Sequence, residues 1–259
     1  MTPRTGLPEL IVEGGVATIT LCRPAQRNRL QAEDLHALMR HFRQVEADLA
    51  VRVLVITSVT VGQPRPVFCA GYDVGGFDSA AHDPQLFERV ADTLEHLRPI
   101  TLAAVNGSVF GGATDLVLAC DLRVGLAGCD WRMPAAALGL HYYPSGLRRY
   151  VARLGPALAQ RAFLTAQTLG FDQLQAAGGL QWVLADEAFE GHLQALVRQV
   201  AALAPLAAQA TKQSLLELAA GHTDLKLLRE REASTLASAD FAEGRAAFAE
   251  RRAPVFRGL

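Results

Sequence analysis

The chain reads as an α/β protein with a helical C-terminal third, and three observations predict it. Short β-branched runs alternate with segments of helical periodicity from Leu10 to Gly125. From about Gly155 onward the spacing of apolar residues is helical. Half of the 259 residues are hydrophobic and 20% are charged, ample for the core of one large domain, alone or with a small appendage.

The elements follow in order. Leu10–Val12 and Val16–Leu21 flank Glu13-Gly14-Gly15, and paired glycines between β-rich runs predict a hairpin. Leu35, Leu38, Met39, Phe42, Val45 and Leu49 recur at spacings mostly of three and four, which predicts an amphipathic helix. Val51–Ser58 is a β-branched run of the kind found in buried strands. The Pro/Gly-rich loop Gly62–Pro66 leads into Val67–Gly71. Ile100–Val105 predicts another buried strand, Gly111–Cys120 a short helix and Asp121–Gly125 a returning strand. Helical segments follow at Ala157–Ala166, at Phe171–Ala177 and along Glu187–Ala220, where the alanine-rich stretch Ala201–Ala210 fits by propensity alone. The last, Leu225–Arg252, is too charged for full burial and too amphipathic for a loose tail, so it suits a subunit interface.

Charge and cysteine content exclude several classes. A net charge of -1 lacks the basic excess of proteins that bind nucleic acid or membrane surfaces. Met1–Leu10 carries Arg4, Glu9 and two prolines and no apolar leader, and no run approaches the ~18 apolar residues of a spanning helix, so a cytoplasmic location is expected. Cys22, Cys69, Cys120 and Cys129 show neither C-x-x-C nor zinc-site spacing and read as reduced structural thiols. No metal site is expected.

Two glycine-marked turns carry the chemistry. Phe68–Asp73 (FCAGYD) follows a strand and loop, and Asn106–Asp115 (NGSVFGGATD) lies between a buried strand and a helix. Glycines at such turns let the backbone approach a ligand closely. A helix starting near Gly111 leaves its first N–H groups unpaired, with the positive end of its dipole facing out, where a polarised carbonyl or oxyanion can sit. Either turn alone is also explained as a structural cap.

Six segments together resemble the enoyl-CoA hydratase/isomerase (crotonase) superfamily nearly end to end. They are Thr18–Asn28 (TITLCRPAQRN), Arg52–Ser58 (RVLVITS), Val67–Val74 (VFCAGYDV), Ala103–Val124, Met133–Leu140 (MPAAALGL) and Phe241–Gly258. The resemblance implies a crotonase-like spiral of ββα units over residues 1–195, followed by a helical oligomerisation region over 196–259 that packs a homo-trimer or a dimer of trimers. It implies an acyl-CoA substrate and no cofactor beyond the CoA moiety. The two oxyanion-hole donors of the family fall on the backbone N–H groups of Tyr72 and Gly112. The CoA-bordering turns fall on Arg23–Asn28, with Arg27 as a phosphate partner, and on Cys69, Ala70 and Gly71. Arg251 and Arg252 on the terminal helix are placed to reach the nucleotide; surface ion pairing is the plainer role for these arginines. Arg148 and Arg149 read as packing or surface residues.

Departures from the family pattern narrow the chemistry. The two glutamates of a family hydratase fall on Asp115 and Ala135, and alanine transfers no proton, so two-carboxylate hydration is not supported. The base of the single-glutamate isomerases also falls on Ala135. Asp115 interrupts an apolar helix; it either bonds nearby backbone or serves as an acid/base group beside the thioester. His141-Tyr142-Tyr143 falls where other members place chemistry or substrate contacts, with a Tyr at the Tyr142 position in methylmalonyl-CoA decarboxylase-like members. Aromatic packing that narrows the acyl pocket accounts for the same residues. The expectation is therefore an acyl-CoA-processing enzyme of lyase or isomerase type with a backbone oxyanion hole, Asp115 as acid/base candidate, and Tyr142 and Tyr143 shaping the acyl site. The rivals are a decarboxylase or thioester hydrolase, and a CoA-binding member without catalysis.

Overall fold

The structure, a computed structural model, describes residues 6–73, 75 and 83–259. Val74, a residue of one quoted segment, lies outside them. Strands β1 (Glu9–Glu13) and β2 (Val16–Leu21) form the expected hairpin, paired antiparallel from Glu9–Thr20 to Glu13–Val16. Gly14 and Gly15 supply the positive φ angles, 56° and 80°, that the tight turn demands. Helix α1 (Ala32–Ala47) follows and buries Leu35, Leu38, Phe42 and Val45 of the predicted stripe; Met39 is partly buried, and Leu49 lies beyond the helix end and is exposed.

A repeated unit then organises the chain. β3 (Val53–Ser58) joins a large sheet, β4 (Val67–Cys69) starts a small one, and α2 (Leu86–His96) returns. The same order recurs as β5 (Ile100–Val105), β6 (Ser108–Phe110) and α3 (Ala113–Ala119), and again as β7 (Leu122–Leu126), β8 (Asp130–Arg132) and α4 (Pro144–Thr165). β9 (Leu169–Gly170), α5 (Phe171–Ala176) and β10 (Trp182–Leu184) complete the sheets. The large sheet runs β1-β2-β3-β5-β7-β10 and the small one β4-β6-β8-β9. Apart from the antiparallel pairs β1/β2 and β8/β9, all pairs are parallel. Each turn of the spiral thus lays one strand in each sheet and puts its second connection at the same end.

Burial follows from this layering. Alternate residues of β3 face opposite sides: Leu54 and Ile56 join the main core with Leu38, Phe42, Phe68 and Leu94, whereas Val53 and Val55 pack with Phe189, Leu196 and Val200 of α6 (Asp186–Ala201). A strand covered on both faces must be apolar throughout, which is why VLVITS carries no charge.

The C-terminal region differs in detail from the sequence reading. The single helical run expected over Glu187–Ala220 is two helices, α6 and α7 (Pro205–Ala219), with Pro205 at the first position of the second. Leu225–Arg252 is likewise α8 (Leu225–Leu236) and α9 (Ala239–Glu250). The Asp224 side chain caps the former, and Ser238 Oγ accepts from the Phe241 N–H at 3.0 Å in the latter. α6 runs through the expected boundary at 195/196. Among the described residues no helix is long and apolar enough to cross a membrane.

Candidate active site

The site is assembled from the second connections of successive turns, beginning at the bend after β2. Arg27 and Asn28 both adopt left-handed conformations, φ 52° and 53°. Such a pair persists only when surrounding bonds over-determine it, and Asn28 makes them. Its Oδ1 accepts from the Arg23 N–H at 2.9 Å, and its Nδ2 donates to Val59 O at 3.0 Å and Val67 O at 3.2 Å.

That bend holds the FCAGYD loop. The Cys69 thiol donates to Asn28 O at 2.9 Å and the Ala70 N–H to Arg27 O at 2.9 Å. Leu30 N–H donates to Gly71 O, and Asp73 N–H to Leu30 O, both at 2.8 Å, so Tyr72 is pinned from either side. Burial pushes the Cys69 thiol up to about 12, so it stays protonated and structural.

The second glycine turn meets the first. A methyl group at Gly71 (φ 97°) would lie 2.8 Å from Phe110 O and 3.4 Å from the Gly112 nitrogen. No side chain fits between the turns, and this close approach is what the two glycines are for. Gly111 takes φ 56° and Gly112 precedes α3, and their carbonyls accept from the Thr114 and Asp115 N–H groups of its first turn, each at 3.0 Å. The Tyr150 hydroxyl donates to Thr114 Oγ1 at 2.5 Å, and that hydroxyl to Gly111 O at 2.5 Å, fixing the turn from behind.

Asp115 is wholly buried one helical step further on. Arg149 Nε donates to its Oδ1 at 2.9 Å and Nη2 to its Oδ2 at 2.7 Å, a two-pronged pair. The Tyr143 hydroxyl donates to the same Oδ2 at 2.5 Å and receives a hydrogen bond from the Tyr142 hydroxyl at 3.0 Å. Arg149 Nη1 also reaches Asp92 Oδ1 at 2.6 Å and Glu95 Oε2 at 3.1 Å, and Arg148 joins Glu95 at 2.5 Å. Burial alone would lower the Arg149 guanidinium, but its hydrogen bonds to Asp115 and that carboxylate's charge hold it above its ordinary value. Burial first, then the Asp115 charge, raises both tyrosines, so each phenol keeps its proton and acts as a donor.

Aromatic rings cover the meeting point of the turns. Tyr142 and Tyr143 stack at 4.2 Å between centroids. Phe87, in the first turn of α2, lies 5.7 Å from the Tyr72 ring and 6.4 Å from that of Tyr143. Ala135 is buried and leads into a 3-10 turn, whereas His141 is exposed.

The structure therefore joins Arg27, Cys69, Ala70, Gly71, Tyr72, Gly112, Asp115, Tyr142 and Tyr143 through a continuous set of contacts. Arg27 also borders a groove of about 820 Å³ lined by Arg65, Ser108, Phe110 and Asp130. Arg251 stands apart from these contacts, exposed in a left-handed conformation just beyond α9. Sequence reasoning missed Phe87 and left Arg149 between a packing and a surface role, whereas it is fully buried. The signal for Arg149 was the buried acid itself, which required a cation from somewhere.

Comparison with known proteins places this geometry in context. Residues 12–258 match the family described as Enoyl-CoA hydratase/isomerase. The chain belongs to the enoyl-CoA hydratase/isomerase family. Its relatives include a 2,3-dehydroadipyl-CoA hydratase of Escherichia coli, 32% identical over 97% of this chain and 100% of that one. A carnitinyl-CoA dehydratase of Proteus mirabilis is 30% identical, over 96% of this chain and 97% of its own length. Among solved structures, an enoyl-CoA hydratase/carnithine racemase from Magnetospirillum magneticum superposes with a TM-score of 0.89 at 25% identity, covering 98% of this chain and 97% of that one. The spiral of strand-strand-helix units is thus the crotonase fold of this family.

Proposed function

We propose that the protein is an acyl-CoA-processing enzyme of lyase or isomerase type in which the backbone N–H groups of Tyr72 and Gly112 bind the thioester oxygen. The observation that carries this reading is the close approach of the two glycine turns at Gly71 and Gly112. Two amides converging on one carbonyl stabilise the negative charge that develops there when an enolate or tetrahedral intermediate forms, each worth ~3–4 kcal/mol of barrier. CoA lies along Arg27 and Cys69–Gly71 in this reading, and the C-terminal helices pack three copies together, with Arg251 at their border.

Asp115 carries a different load in this proposal than the acid/base role the sequence suggests. Its Oδ1 accepts from Arg149, and its Oδ2 from both Arg149 and Tyr143, so it anchors α3 and orients the Tyr143 hydroxyl. With Ala135 at the other acid position, no paired carboxylates serve hydration. This favours a reaction that needs enolate stabilisation more than a strong base. Decarboxylation of a carboxylated acyl-CoA meets that description: the Cα–carboxylate bond breaks, CO2 leaves, and the electron pair enters the thioester enolate. A proton then returns to Cα from a tyrosine hydroxyl or water.

Difference infrared spectra of bound acyl-CoA carrying a ¹³C-labelled thioester carbonyl test the shared claim: the carbonyl stretch falls on binding if both amides grip it. An unshifted band sinks the oxyanion reading. A panel of crotonyl-, malonyl- and methylmalonyl-CoA followed by mass spectrometry separates the reactions, and little or no hydration of crotonyl-CoA is expected. Hydration as fast as that of an efficient family hydratase overturns the carboxylate argument. Tight thioester binding with no turnover of any panel member marks a binding protein instead.

A further inference from the structure

The ring of Phe87 lies against the Gly112 backbone, beside the carbonyl position of the proposed function. A methyl group at Gly112 would meet its Cζ at 2.8 Å and its two Cε atoms at 3.1 Å, so the tip of the ring is pressed onto the Gly112 backbone. Phe87 is 8% exposed and sits with Tyr72 on one side and Tyr143 on the other. A carbonyl oxygen within hydrogen-bond reach of the Gly112 N–H puts its α- and β-carbons within a few bond lengths of that ring.

The ring is also held in place. Its helix, α2, is fastened to α4 by Arg149 with Asp92 and Glu95, by Arg148 with Glu95, and by Ser145 Oγ donating to Glu88 Oε1 at 3.0 Å. To swing Phe87 away as a helix movement would break buried ion pairs, which is costly. A rigid wall at this place selects by size.

We propose that Phe87 is a specificity-determining residue that ends the acyl subsite, restricting the enzyme to short, compact acyl thioesters such as acetyl, malonyl or butyryl. The assignment rests on the acyl-CoA reading above. Titration calorimetry of the wild-type protein with acetyl-, butyryl-, octanoyl- and lauroyl-CoA tests it, together with Phe87→Ala and the gentler Phe87→Leu. The wild type is expected to bind the two short thioesters and to reject the two long ones. Opening the wall lets each added methylene become buried, so Phe87→Ala gains about four-fold in affinity per methylene from butyryl to octanoyl. Lauroyl-CoA binding to the wild type as tightly as butyryl-CoA overturns the assignment and leaves the oxyanion reading intact. An unchanged length profile in both variants does the same. Failure of every thioester to bind sinks both proposals at once. Should Phe87→Ala not fold, the wild-type series and Phe87→Leu still decide the matter.

Discussion

Single residues here are chosen for proton economy as much as for shape. Cys69 and Cys120 are fully buried thiols, and burial pushes each up to about 12. An unfolded thiol ionises near pH 8.5, so above that pH the folded chain binds more protons than the unfolded one and stability falls as pH rises towards the folded value. The contribution is complete below about pH 8. Unfolding free energies from denaturant titrations at pH 7.5, 9 and 10.5 should fall by up to ~1.4 kcal/mol per pH unit for each such thiol. Replacing both cysteines with alanine should reduce that slope, leaving the part due to Cys129, which burial pushes up to about 11, and to the buried tyrosines, and a slope unaffected by the replacement would show that other groups cause it. The role of Arg149 was illegible at this scale because its partners Asp92, Glu95 and Asp115 lie 34 to 57 residues away in the chain. The glycines, by contrast, declare themselves, since side chains are excluded wherever two backbones nearly touch.

At the level of elements, what could be read was what local pattern encodes. The Gly14-Gly15 hairpin, the stripe of α1 and the apolar run of β3 are each specified within a few residues. β6 and β8, three residues each, are too short to show a period and exist because neighbouring strands accept them. The sequence reading starts a helix only at Ala157, because Pro144, Gly146 and Gly155 interrupt the helical period before it. Pro144 instead occupies the first helical position, and the helix continues to a kink at Gly155, φ 71°. Helix α2 bears Phe87, the buried Glu95 and the partly exposed Asp92, so its absence from the sequence reading removed one wall of the site. The ion cluster that ties α2, α3 and α4 gives a direct test. Arg149→Met should cost ~3–5 kcal/mol by stranding buried carboxylates, whereas Arg149→Met with Asp115→Leu should cost less than the sum of the two single changes. Simple additivity in urea denaturation would mean the pair does not act as a unit.

Across the whole molecule, the helical end exposes more apolar surface than a free-standing subunit needs. Phe248 is 88% exposed and Leu225 71%, with Phe241 and Leu236 also open. Scattered exposed residues of this kind are ordinary, but these share one helical region. The proposed packing of three copies predicts that sedimentation finds a trimer or twice that mass, and that Phe248→Glu shifts it towards the monomer. A wild-type monomer at micromolar concentration would remove this part of the proposal.

The ion cluster has an order in time as well as in space. Asp92, Glu95 and Asp115 leave the ribosome before Arg149, the cation that makes four hydrogen bonds to these three carboxylates. Until α4 has emerged, a collapsing nascent chain would have to bury carboxylates without their counter-charge, so the first two turns of the spiral gain little by closing early. A product truncated before Arg149 is therefore expected to dock α2 and α3 poorly, which limited proteolysis of that fragment would read out.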